Sequence, residues 1–263
     1  MPFIRNSVLA ASASLCWLAS PSFAQDRALA FSVTGGVEVA PSYFGADDAR
    51  IGPTGALGFT GLRFGAVRLS DPDRAPTVFA PGTGVRGSFR LIGKREGKDE
   101  LEGLDDVGLA VEAGLGVYYT AENWQVFSDL RFAAIGNQNI VFEVGGDFIY
   151  RGHNGLVIYG GPRADFGNSR FMQRYFGITA NEEARATLAG NTNLREFSPS
   201  GGLYSYGVEL GAYQPLSPDW GVSGSIRFDR LHGDAAESPI VQQGRRDQIS
   251  ARIGVTRHFN LRF

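Results

Sequence analysis

The chain has 263 residues, 36 of them glycine, with 12% aromatic residues and 25 basic against 27 acidic side chains, a formal net charge of −2. Glycine without a G-x-y period excludes collagen, the aromatic content excludes disorder, and the charge balance excludes the broad basic footprint of a nucleic-acid binder. Past residue 20 no apolar run approaches the ~18 residues of a membrane-spanning helix, which excludes a helical membrane protein.

In chain order, the first element is an export address. Arg5 supplies a positive n-region, Val8 to Ala19 an apolar h-region, and Ser22-Phe23-Ala24 a small-x-small cleavage site, so residues 1–24 read as a signal peptide cleaved near Ala24. The only cysteine, Cys16, lies inside it and follows Leu15, not the small residue of a lipoprotein signal. The remaining domain, 25–263, therefore carries no disulfide, thiol nucleophile or cysteine metal site.

From residue 28 onward the sequence alternates with period two. Phe31, Val33, Val37 and Val39 oppose Ser32, Thr34, Gly36 and Glu38; Leu109, Val111, Ala113, Leu115, Val117 and Tyr119 oppose Ala110, Glu112, Gly114, Gly116 and Tyr118. In the last segment Ile249, Ala251, Ile253, Val255, Phe259, Leu261 and Phe263 share a face that only Arg257 interrupts. Side chains of a strand alternate between faces, so each such run has one apolar and one polar side. About twelve strands are expected, near 28–40, 50–60, 61–69, 83–91, 107–119, 123–135, 140–150, 156–166, 170–176, 201–214, 220–231 and 247–263. Pro162 falls inside the eighth, where a bulge or a strand end must accommodate it. Asn181 to Ala189 is expected to form a short helix in a loop.

Alternation suits a soluble β-sandwich as well as a membrane barrel. Three features favour the barrel. Aromatics such as Tyr119, Trp124, Phe148, Tyr150, Trp220 and Phe259 fall near strand ends, as interfacial girdles would. Mid-strand polar positions carry ionisable groups, among them Glu112, Asp129, Arg131, Glu143, Arg163, Asp165, Glu209 and Arg227, which suits a polar lumen. The chain also ends on Phe263, the aromatic last member of an alternating strand, like the C-terminal signal of bacterial outer-membrane proteins. The expected fold is thus an all-β, transmembrane antiparallel β-barrel.

Four segments then resemble one family in its own order: Pro41-Ser42-Tyr43-Phe44-Gly45-Ala46-Asp47-Asp48, Gly103-Leu104-Asp105-Asp106-Val107, Arg174-Tyr175-Phe176-Gly177-Ile178, and Arg230-Leu231-His232-Gly233-Asp234 through Ser238-Pro239-Ile240-Val241. Together they resemble the MipA/OmpV family over residues 30 to 263. The resemblance implies a Gram-negative outer-membrane barrel without enzymatic activity. It further implies a scaffold whose partners, besides outer-membrane lipid, are a lytic transglycosylase, MltA, and a bifunctional penicillin-binding murein synthase. The alternative that family members suggest is a porin-like channel for small solutes. No catalytic residue, cofactor or metal comes with the family.

The residues themselves agree with that silence. Of the three histidines His153, His232 and His258, His258 points to the lumen by parity and His153 lies in the short turn Arg151-Gly152-His153-Asn154-Gly155, away from the lipid-facing rim where a lipid-acting site would need its base, and no H-x-x-x-H spacing occurs. Asp47-Asp48 and Asp71-Pro72-Asp73 read as turn formers, because neither has the spaced oxygen ligands of a calcium loop. Residues 232–246, with Arg230, Gly233, Asp234, Ser238 and Pro239 as structural motif positions, are expected as an external loop folded into the barrel mouth. A count of crossings puts Gly93 to Glu100 on the periplasmic side, where Lys94, Arg95 and Lys98 would be available to a partner enzyme.

Overall fold

The computed structural model describes residues 27–64, 67–69, 79–135 and 139–262. The expected signal peptide at 1–24, Asp71-Pro72-Asp73 and the terminal Phe263 lie outside these residues. Eleven strands form one antiparallel sheet: β1 Arg27–Pro41, β2 Ala49–Phe64, β3 Val67–Leu69, β4 Gly82–Ile92, β5 Ala110–Thr120, β6 Trp124–Ile135, β7 Ile140–Arg151, β8 Val157–Gly167, β9 Gly202–Pro215, β10 Trp220–Leu231 and β11 Asp247–Arg262. The strand order is β3-β2-β1-β11-β10-β9-β8-β7-β6-β5-β4. β1 meets β11 along nearly its whole length, from Ala28 opposite Arg262 to Val39 opposite Ala251.

The two faces are inverted relative to a soluble protein. Outward-facing Leu115, Leu210 and Ile249 are 63%, 62% and 63% exposed, whereas inward-facing Glu112, Arg131 and Asp165 are 1%, 3% and 2% exposed. An apolar band this extensive is stable only against lipid, where a sheet curled into a nearly closed barrel satisfies most of its backbone internally. Exposed Tyr119, Trp124, Phe148, Tyr150 and Trp220 ring one end of the band, and Phe132, Phe142, Tyr206 and Phe228 ring the other.

Three expectations are corrected. Residues 50–69, read as two crossings, are one sixteen-residue strand followed by the three-residue β3. A bulge between Ala30 and Phe31 skips a residue of β2, so Leu62 and Phe64 succeed Leu57 and Phe59 out of phase, and the broken alternation imitated a strand boundary. Residues 170–176 are not a strand but lie in helix α1, Ser169–Phe176. The strand expected from residue 107 begins at Ala110, and Val107 instead bridges to Arg95. The expected helix at 181–189 is α2, Ala180–Leu188.

Arg27, Arg262 and the short turns 121–123, 152–156 and 216–219 lie at one end of the barrel; the connections 42–48, 93–109, 168–201 and 232–246 lie at the other. Outer-membrane barrels keep short turns in the periplasm and long loops outside, which orients this one. Because β2 is a single crossing, residues 93–100 fall at the external end, opposite to the count made from sequence.

Two irregularities mark the wall. The β7–β8 ladder lapses between Gly145 and Phe148, opposite Pro162, and Arg163 Nη1 donates to the carbonyls of Gly146 and Pro162, each at 3.0 Å. β2 and β4 are neighbours, since a Cβ on Gly87 would sit 3.0 Å from the Leu57 carbonyl oxygen. Yet among the described residues no ladder joins these two strands. Arg50 Nη1 spans the seam at its external end by donating to the Lys94 carbonyl, 2.9 Å away.

Candidate functional site: the capped lumen

The lumen is filled by a charge network that strands β4 to β11 project inward. Arg86 forks onto Asp129 at 2.8 and 2.7 Å, and Arg131 Nη1 donates to Glu143 at 2.8 Å and to the Ser88 hydroxyl at 3.0 Å. The Arg131 guanidinium also lies 3.7 Å from Glu112, Asp129 and Asp165. Arg163 bonds Asp147 at 2.7 Å and Glu209 at 3.2 Å, and Arg227 bonds Glu143, Asp229 and Asp165. Between them the Phe127 ring lies under two guanidinium carbons, Arg86 at 3.9 Å and Arg163 at 5.0 Å. Charges out of bulk water persist only when paired and hydrogen-bonded. Here arginines and carboxylates do both on the inner face of β4 to β11.

Lumen glycines make room for this packing. A Cβ on Gly84, Gly211 or Gly221 would meet the ring of Tyr118, Tyr159 or Tyr213 within 2.5 Å. The glycine excess of the sequence therefore answers, in part, to inward tyrosines lying flat on neighbouring strands.

Above the network the external mouth is closed by a cap built from all four long connections. Asn168 accepts the Phe171 N–H at 2.9 Å to start α1, whose Phe171, Met172, Tyr175 and Phe176 are buried. Phe44 packs on Phe171, Tyr175, Phe176 and Tyr204 with ring centroids 5.2–6.1 Å apart. Helices α3, Asp234–Glu237, and α4, Pro239–Gln242, contribute Ala235, Ala236 and Val241 to the same cluster. A second cluster joins Leu101, Leu104, Ile178, Ala186, Leu194 and Ile240. Arg90 links cap to network, donating to Glu112 and, through Nη1, to the Tyr204 hydroxyl, both at 2.9 Å.

The four segments that resembled a family thus converge here. Gly45 N–H donates to Gln248 Oε1 at 3.1 Å, and the buried Ser238 hydroxyl donates to the Phe176 carbonyl at 2.7 Å. Pro239 opens α4, Gly233 turns into α3 with φ 56°, and Asp234 accepts the Ser200 N–H at 2.6 Å. Arg230 pairs at the rim with Asp247 at 3.1 Å. Gly45 has φ 98°, and a Cβ there would lie 2.6 Å from Val241 Cγ2. Gly45→Ala should accordingly cost about 1–3 kcal/mol through backbone strain and overlap, read as earlier trypsin cleavage within 168–201 while the barrel stays folded.

Of the residues expected to face a partner, Arg95 is buried and donates to the Tyr175 carbonyl at 3.1 Å. It holds the cap together and is not a surface group. Lys94 and Lys98 are exposed, and their hydrogen bonds lower the Glu96 pKa to about 2. All three stand in the 93–109 connection, at the end that carries the long connections.

α2 begins with a capping box: Glu182 N–H donates to Thr179 Oγ1 at 3.3 Å and Thr179 N–H to Glu182 Oε2 at 2.8 Å. Burial pushes the Glu182 carboxyl up, but the N–H groups of Asp105 and Thr179 and the Thr179 hydroxyl outweigh it and hold the pKa below the usual range. A depressed carboxylate adds stability that is complete above its unfolded pKa and is lost as pH falls through the folded value. Amide protection of α2, corrected for intrinsic exchange, should therefore hold at neutral pH and decline below pH ~4. Glu182→Gln should flatten that decline.

The histidines do not converge: His153 lies in a periplasmic turn, His232 meets Tyr206 edge-on at the outer rim, and His258 Nε2 bonds the Tyr213 hydroxyl at 2.9 Å. Among the described residues no group of three or more His, Cys, Asp or Glu is placed to hold a metal ion.

An inverted sheet, two aromatic girdles and a capped polar lumen define an outer-membrane β-barrel. The family model for MltA-interacting protein MipA matches residues 33–259. The chain therefore belongs to the MipA family, and its place is the outer membrane of a Gram-negative bacterium. It is 27% identical over 162 residues to the MltA-interacting protein of Escherichia coli K12, covering 61% of this chain and 62% of that one. It is 23% identical over 179 residues to outer membrane protein OmpV of Vibrio cholerae, covering 67% and 63%. The matches thus span under two thirds of these relatives. Among solved structures, an outer membrane channel from Pseudomonas putida F1 aligns over 91% of this chain and 99% of its own with 9% identity and a TM-score of 0.45. OprG of Pseudomonas aeruginosa aligns over 89% and 98% with 12% identity and a TM-score of 0.33.

Proposed function

We propose that this barrel is a non-conducting, non-enzymatic scaffold of the cell envelope whose periplasmic rim holds murein enzymes, a lytic transglycosylase and a penicillin-binding murein synthase. The observation that carries the reading is double occlusion: the Arg131–Glu143–Arg227 network fills the middle of the lumen, and the Phe44–Phe171–Tyr204 cluster covers its mouth. A barrel shut twice offers surfaces more than a passage. The name of the E. coli relative, an MltA-interacting protein, supports a partner of this class. With Lys94, Arg95 and Lys98 at the other end, the docking surface moves to the short turns, where Glu122, Asn123, His153, Asn154 and Asp219 are exposed.

The test pairs two measurements on the purified barrel. Planar bilayers should show no reproducible conductance steps, and a purified lytic transglycosylase should be captured by wild type but several-fold less by a variant with alanine at Glu122, Asn123, His153 and Asn154. Equal capture by both would discard the rim assignment. Reproducible steps would favour the second reading, a porin-like channel for small solutes. That reading has one observation behind it: inward Ser32, Thr34, Gly36 and Thr54 on the β1–β2 wall are small and only half-buried, unlike the sealed side opposite.

A further inference from the structure

Most outward-facing strand positions are apolar, and the charged exceptions among the described residues are Arg27, Arg230, Asp247 and Arg257. Arg230 and Asp247 pair with each other at the external rim. Arg257 sits toward the periplasmic end, directly opposite Trp220 in the ladder. Its guanidinium carbon lies 5.1 Å from the Trp220 ring centroid and 4.9 Å from that of Phe259. No carboxylate among the described residues stands within salt-bridge distance of it, and no hydrogen bond occupies its N–H groups.

The surroundings continue the pattern. Phe259 stacks on Phe31 of β1 at 4.9 Å and 13°, and beyond it the guanidinium carbon of Arg27 lies 4.3 Å over the Phe64 ring. Exposed Val255 and Leu261 flank the site along β11. A fixed guanidinium offers a fork of donors matched to a phosphate, while the rings fix its direction and leave the fork free. Facing lipid at the depth of the periplasmic girdle, the anion that meets it is a headgroup phosphodiester, with acyl chains along the apolar strand face.

We propose that Arg257, held between Trp220 and Phe259, binds the phosphodiester of a phospholipid in the periplasmic leaflet. The test is native mass spectrometry of the full barrel in neutral detergent, titrated with phosphatidylglycerol or with diacylglycerol bearing the same acyl chains. Wild type should retain phosphatidylglycerol over diacylglycerol. Arg257→Gln should weaken that binding roughly tenfold, the scale of one charge-assisted bond, whereas Arg230→Gln should leave it unchanged. Equal binding by wild type and Arg257→Gln, or equal retention of the two lipids, would overturn the proposal, as would tighter retention of lipid A through Arg257. A second measurement needs no change at Arg257: in a Trp124→Phe background, phosphatidylglycerol brominated on its acyl chains should quench Trp220 fluorescence more than brominated diacylglycerol. Equal quenching would count against the site even if Arg257→Gln failed to fold.

Discussion

Replacing Arg131 with leucine should lower the unfolding free energy by about 3–5 kcal/mol, the loss expected when one partner of a buried ion pair is removed. Arg131 is 3% exposed and faces Glu112, Asp129, Glu143 and Asp165 at once. Its removal leaves several carboxylates together without their central cation, and they would have to protonate or draw water into the lumen. Denaturant unfolding in detergent, followed by the shift in gel mobility between folded and heated barrel, measures the effect. Arg131→Leu with Glu143→Leu should recover part of the loss, because an apolar pair replaces an orphaned charge. A loss under about 1 kcal/mol would mean that the network is solvated like surface pairs, and the non-conducting proposal would fall with it.

The second large effect belongs to the cap. Phe171 is fully buried and touches Phe44, Tyr175, Phe176 and Tyr204. Phe171→Ala should remove about 3–5 kcal/mol from the cap by lost contact and a residual cavity. The cap joins the barrel at its base, through Arg90 and Tyr204, through Gly45 and Gln248, and through buried Ile92, Ala110, Val141 and Leu231, while the ladders below run without it, so the loss should be local. Trypsin should cut at Arg185 or Arg195 well before the barrel loses its folded mobility. If the conducting path is shut by the cap alone, this variant should open it. If the ion network also shuts it, as proposed, conductance should stay absent until Arg131→Leu is added.

How far the sequence revealed this molecule depended on the range of the interactions. Alternation is local, so β11 with its outward Ile249, Ile253 and Val255 and inward Gln248, Arg252 and Thr256 was legible at once. Seven residues were too few to separate periods at Arg170 to Phe176, where apolar residues at 171, 172, 175 and 176 follow a helical stripe. Asn168 as an N-cap was the available signal. The bulge beside Phe59, opposite Ala30 and Phe31, is a property of two paired strands and is written in neither, yet it decided the crossing count and with it the end at which Lys94 and Lys98 stand. Likewise Arg131 was recognisable as a lumen residue, but its set of partners depends on barrel curvature, which brings β4, β5, β6, β7, β8 and β10 to one point. The family-like segments were visible as words. That Phe44, Leu104, Phe176 and Ile240 meet in one lid was a matter of three dimensions.

The seam between β2 and β4 alters how the molecule is to be counted. In hydrogen-bond terms the described residues form a ribbon whose ends are β2 with its short β3 on one side and β4 on the other, with the first and last strands, β1 and β11, paired in the ribbon's middle. Stretching forces in the bilayer should part the wall where no ladder resists, so deuterium should reach residues 51–58 and 84–91 before 248–256.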